Sequence, residues 1–105
     1  HMKANTYDNF FVNFANKTRF DIINALRTKP MSVNELSSAV SQEQSKVSHN
    51  LKKLAACHIL HVKQAGKQRI YSLNSATVAP ILKIAEQHIT KNCLKDGCPK
   101  GCRSK

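Results

Sequence analysis

Acidic side chains are scarce in this sequence: Asp and Glu number 6 against 17 Lys and Arg, for a formal charge of +11. Paired carboxylates for acid–base work are missing, and so is a nucleophile–base constellation. With only 3 glycines there is no phosphate-cradling glycine loop either, so an enzyme is not expected. No apolar run is long enough to cross a membrane. The partly apolar stretch Phe10–Ala15 lacks the basic flank and small-residue cleavage pattern of a secretory signal, so the expected location is cytoplasmic. Internal repeats and low-complexity linkers are absent too. The opening His1-Met2 reads as the remnant of an expression tag, and His1 enters no site argument.

What remains is a chain of 105 residues, enough for one compact domain and a modest core. Small domains bury a smaller share of their surface, so a dimer interface would add stability. The excess of positive charge says little about fold. It points to an anionic partner, of which nucleic acid is the commonest large one.

Helical periodicity opens the chain. Tyr7, Phe10, Phe11 and Phe14 form an apolar stripe. Asn16 can cap a second helix, Lys17–Arg27, with Phe20, Ile22, Ile23 and Leu26 inward, and Pro30 closes it. Ser32-Val33-Asn34-Glu35 fits a capping box for a short helix to about Val40, with Val33, Leu36 and Val40 inside. After the polar turn Ser41-Gln42-Glu43 another helix runs to about Ala56, with Val47, Leu51 and Leu54 buried. Two short helices around a tight turn predict a helix-turn-helix.

The period then changes. Ile59, Leu60 and Val62, the turn Ala65-Gly66-Lys67-Gln68, and Ile70, Tyr71 and Leu73 predict a β-hairpin. A last helix carries Val78, Ile81, Leu82, Ala85 and Ile89 on one face. Pro80 fits its first turn, which makes Thr77 the expected cap. The fold class expected is mainly α with a small β-hairpin (α+β), a winged helix-turn-helix with flanking helices for dimerisation. Residues 1–92 would form the DNA-binding and dimerisation domain, and residues 93–105 a basic, cysteine-containing tail.

In that fold the second helix of the pair enters the major groove and the wing lies along the backbone or minor groove. With Val47, Leu51 and Leu54 inward, the helix turns Gln44, Ser45, Ser48, His49 and Lys52 outward. Gln44 can read adenine bidentately, Ser45 and Ser48 can reach base edges or phosphates, and His49 can donate to guanine or phosphate. Lys46 and Lys53 flank this face, and Lys63, Lys67 and Arg69 make the wing basic. The expected partners are a double-stranded DNA operator and a second copy of the chain, paired through the first and last helices.

Three segments, "FANKTRFDIINAL", "SVNELSSAVSQEQSKVSHNLKKL" and "GKQRIYSLN", stand in order over about Phe10 to Ile89. They resemble the ArsR/SmtB family of metal-responsive repressors. The resemblance implies a winged helix-turn-helix repressor released from its operator by an ion. It also marks departures. The turn glycine of the family is Ser41 here, which implies a left-handed residue or a different turn. The apolar turn residue is Gln42, and the usual Arg-His pair is His49-Asn50, which implies a different operator. The family's C-V-C thiolate site falls on Ser32-Val33-Asn34. Its Asp and His site between the last helices falls on Ser75, Thr77, His88 and Lys91, of which only His88 can bind metal. Neither site is expected.

Four cysteines in a cytosolic protein favour thiols or thiolate ligands over disulfides. Cys93, Cys98 and Cys102 follow C-x4-C-x3-C spacing. Gly97, Pro99 and Gly101 let the backbone turn between them, and nearby lysines and arginines favour thiolates. Three thiolates suit trivalent arsenic or antimony. With a fourth ligand, Cys57 or His88, they suit zinc, cadmium or lead. Cys57 matches a position where the resemblance implies a ligand in lead- and cadmium-sensing members, while Lys53 holds the companion position. From its own surroundings Cys57 reads first as a small buried residue and second as a ligand. His58 and His61 read as packing or surface residues. Two alternatives stand beside an ion switch: a thiol-redox or persulfide response at Cys98 and Cys102, and constitutive DNA binding with a structural zinc in the tail.

Overall fold

The computed structural model describes residues 2–94. Two compact units divide between Asn74 and Ser75. The first runs α1 (Ala4–Ala15), α2 (Lys17–Leu26), β1 (Met31–Ser32), α3 (Val33–Val40), α4 (Gln44–Ala56), β2 (Leu60–Ala65) and β3 (Gln68–Leu73). The second holds α5 (Val78–Ile89) and a π-helical turn, Thr90–Leu94, so the boundary expected after residue 92 falls inside that turn.

Apolar residues at helical spacing drive the core of the first unit. Ile22, Ile23, Leu36, Val47, Leu51, Leu54 and Ile59 are completely buried, with Leu26, Leu60 and Tyr71 nearly so. α2, α3 and α4 pack on one another around these side chains. Phe20, Val33 and Val40, expected inside, are only half-buried. Asn16 caps α2 as expected, its side chain accepting from the Arg19 N–H at 3.1 Å. The capping box of α3 is also formed: the Glu35 N–H donates to Ser32 Oγ at 3.3 Å, and the Ser32 N–H donates to Glu35 Oε1 at 2.9 Å. That backbone donor, aided by Lys29, holds the Glu35 carboxyl below the usual carboxylate range.

The sheet has three antiparallel strands in the order β1-β3-β2, one more than the hairpin expected. β1 pairs Met31 with Tyr71 and Ser32 with Ile70. A two-residue strand is too short to show a period of two, so its sequence carries no strand signal. The hairpin pairs Leu60 with Leu73 through Ala65 with Gln68. Gly66 takes φ 63 at the first turn position, the requirement of a II′ turn.

Two non-glycine residues are left-handed, and they bracket α4. Ser41 (φ 56, ψ 46) ends α3, where the Gln42 N–H reaches the Ser37 carbonyl at 3.2 Å. His58 (φ 59) follows α4, and the Ile59 N–H reaches the Leu54 carbonyl at 3.0 Å. Both are helix-ending turns that usually hold glycine. Ser41→Gly should therefore raise stability by about 1 kcal/mol by relieving the Cβ clash. The check is a higher urea midpoint at unchanged m-value, and an unchanged or lower midpoint would count against that strain.

α5 divides its apolar residues. Val78 and Leu82 are buried, while Ile81, Ile84 and Ile89 are exposed, Ile84 by 65%. Thr77 occupies the cap position, but its side chain makes no capping hydrogen bond, contrary to expectation. α1 likewise leaves Tyr7, Phe11 and Val12 exposed around an aromatic cluster of Phe10, Phe11 and Phe14. Among the described residues no helix is long and apolar enough to cross a membrane.

Candidate nucleic-acid interface

α4 is seated by Val47, Leu51 and Leu54, so its remaining faces meet solvent. Gln44, Ser45, Lys46, His49, Lys52 and Lys53 are exposed, and Ser48 is half-buried between them. Lys63, Lys67 and Arg69 are exposed on the wing. Every residue expected to face DNA thus lies at the surface of the first unit, on α4 or on the hairpin.

Asn34 connects the two groups. Its Oδ1 accepts from Gln44 Nε2, which steadies the first side chain of α4. Asn34 also lines a cleft of about 460 Å³ between the start of α3 and the wing, together with Ser32, Gln64, Lys67 and Arg69. Lys67 and Arg69 bring two cations to a lining that is otherwise evenly polar and apolar, Val33 included. The cations suit an anionic oxygen such as a phosphate group. Asn34, read in the sequence as part of the capping box and of the missing thiolate site, was not expected here, nor were Gln64 and Gln68, which also line the cleft. The signal was present as polar residues alternating with Lys67 and Arg69 along the hairpin.

Asn50, beside His49, takes no part in the outward face. It is 7% exposed and turned toward α2, where its Oδ1 accepts from Arg19 Nε at 3.0 Å. His49 is left as the exposed member of the pair.

Cys57 ends α4 and is exposed, which rules out the buried-residue reading. Cys93 is half-buried in the turn after α5. Cys98 and Cys102 lie outside the described residues. Among the described residues no three His, Cys, Asp or Glu side chains gather as a metal site, so Cys57, His58 and His61 do not converge. His88 has a local neighbour, with Asn92 Nδ2 3.4 Å from its Nδ1.

A short helix, a tight turn and an outward-facing polar helix, followed at once by a basic hairpin, define the winged helix-turn-helix class of DNA-binding domain. Residues 16–62 match the model of the bacterial regulatory proteins of the arsR family. The HTH-type transcriptional regulator NmtR of Mycobacterium tuberculosis is 36% identical over 74 residues, which make up 70% of this chain and 62% of that relative. Over residues 16–62 the chain thus carries the arsR-family domain that its three sequence segments had implied. Among solved structures, M. tuberculosis Rv0081 superposes with a TM-score of 0.77 at 27% identity, over 83% of this chain and 88% of that one. The AntR antimony-specific transcriptional repressor superposes with a TM-score of 0.69 at 28% identity, over 84% and 80%. The family and fold are those of transcription regulators, not of enzymes. The match to NmtR spans less than two thirds of that relative's length.

Proposed function

We propose that this chain is a homodimeric transcriptional repressor that holds an operator duplex through α4 and the wing. It lets go when a soft, thiophilic ion is bound by its C-terminal cysteines. The observation that carries the DNA reading is the surface just described: exposed Gln44, Ser45 and His49 flanked by Lys46, Lys52 and Lys53, with Lys63, Lys67 and Arg69 on the adjoining hairpin. The amide, hydroxyl and imidazole groups suit base edges, and the cations suit phosphates. The exposed apolar faces of α1 and α5 favour pairing with a second copy. Two-fold pairing of half-sites is the usual way a helix-turn-helix gains operator affinity.

The ion reading rests on the tail. Ser32-Val33-Asn34 offers no thiolate, and the described residues gather no ligand cluster. Any response then falls to Cys93, Cys98 and Cys102. A structurally similar repressor specific for antimony favours a trivalent metalloid, arsenic or antimony, ahead of cadmium, lead or zinc.

Replacing Cys93, Cys98 and Cys102 by serine tests this. In the native chain, ion addition under reducing conditions should weaken operator binding by about 5- to 150-fold, the usual range of a coupling free energy of about 1–3 kcal/mol. The triple variant should bind DNA within a few-fold of native and lose the response. A retained response would move the sensor away from the tail. A response that needs oxidant instead of ion would make the switch a redox one.

A further inference from the structure

Three helices of the first unit are joined by a polar clasp at the edge of the core, with Arg19 half-buried. Arg19, on α2, donates from Nε to Asn50 Oδ1 on α4 at 3.0 Å and from Nη1 to Asn13 Oδ1 on α1 at 3.1 Å. Asn13 is 1% exposed and Asn50 is 7% exposed. Arginine only donates, so both amides must turn their oxygens to it, and their nitrogens are thereby aimed back along their own helices. Asn13 Nδ2 donates to the carbonyls of Asn9 at 3.2 Å and Phe10 at 3.0 Å. Asn50 Nδ2 donates to the Lys46 carbonyl at 2.9 Å. Among the described residues no buried side-chain polar atom lacks a partner.

A fully satisfied buried network of this kind adds orientation more than stability, because well-packed apolar residues fill such space at least as favourably. The apolar seat of α4, Val47, Leu51 and Leu54, holds the helix on the core, and the clasp adds directional bonds against rotation about the helix axis. The clasp grips the turn from Lys46 to Asn50, which also carries Ser48 and His49. A rotation of about 10° moves a side chain about 6 Å from the axis by about 1 Å, enough to spoil a base-edge hydrogen bond. Phosphate contacts by long lysines tolerate that displacement.

We propose that Arg19 is a positioning residue for base readout: through Asn13 and Asn50 it fixes the rotation of α4 against α1, so that base-specific binding depends on it and phosphate-driven binding does not. The proposal rests on the DNA-binding reading given above.

The test compares two affinities in each variant, one for a duplex that the native chain enriches from a random-sequence pool and one for a scrambled duplex of the same composition. Arg19→Lys keeps the charge but cannot span both amide oxygens. Asn13→Ala cuts the far end of the clasp, away from α4. Each should lower affinity for the enriched duplex by about 10-fold, the size expected for one spoiled base-edge contact. Affinity for the scrambled duplex, and its salt slope, should stay at the native value. A merely structural role would lower both affinities in proportion to the folded fraction and leave their ratio unchanged, and that result in a folded variant overturns the proposal. Should neither variant fold, Asn13→Ser keeps a small polar side chain but withdraws the acceptor from Arg19, and it carries the same ratio test. If the native chain enriches no duplex at all, the DNA-binding reading fails and this proposal falls with it. Enrichment by the native chain with an unchanged ratio in the variants sinks the positioning role alone.

Discussion

Raising salt from about 50 mM to about 200 mM should weaken DNA binding by this protein about 10³- to 10⁵-fold. The reason is the number of cations placed on one surface. Lys46, Lys52, Lys53, Lys63, Lys67 and Arg69 are all exposed on α4 and the wing, and a dimer doubles the set. If the dimer neutralises about 6 to 10 phosphates, log affinity should fall against log salt with a slope of about −5 to −9. Two substitutions separate the parts of this surface. Lys67→Ala should weaken all duplexes alike and flatten the slope if the wing tip meets phosphates as proposed. His49→Ala should relax base preference by about 1–3 kcal/mol at the contacted position and leave the slope unchanged. A flat salt response, or a Lys67 variant altered in preference only, would argue against this docking.

The second large effect concerns the partner copy. Ile84 is the most exposed isoleucine of α5, and a charge placed there would be buried without a counter-charge in any interface that covers this face. Ile84→Asp should therefore give monomers in sedimentation. Operator affinity should drop by about 10²- to 10⁴-fold, the avidity that linking two binding units commonly supplies. The melting temperature of the monomeric fold should change little, since the native side chain is exposed and packs little within its own chain. An unchanged dimer would mean that the partner lies elsewhere. Phe11→Asp, on the exposed aromatic face of α1, is the companion variant.

Where the chain reads clearly, the reason is periodicity. Val47, Leu51 and Leu54 fix the seat of α4, and from that seat the outward residues follow by geometry alone. The caps at Asn16 and Ser32 were legible for a similar reason: each acts within four residues of itself. The features that escaped are of three kinds. β1 is too short to show a pattern. Thr77 has a capping residue's identity, but its backbone at φ −123 and ψ −47 is not the extended conformation that presents a side chain to the helix N–H groups. Asn13 and Asn50 are polar residues on buried faces, and their partner Arg19 lies 6 residues from one and 31 from the other. No local rule joins such positions. The split of the α5 stripe into buried Val78 and Leu82 and exposed Ile81, Ile84 and Ile89 was also invisible, because periodicity reports that a face is apolar but not what covers it.

Cys57 is the first of the chain's 4 cysteines, exposed at the carboxyl end of α4. In the variant that lacks Cys93, Cys98 and Cys102 it is the sole thiol. A maleimide dye or a nitroxide would then attach at one defined point per subunit, beyond the polar face of the helix, and so displace no side chain assigned to DNA. In a dimer the two labels form a pair whose separation follows the two copies of α4. The same protein that tests the sensor would thus serve as a molecular ruler for the change in helix spacing when DNA binds.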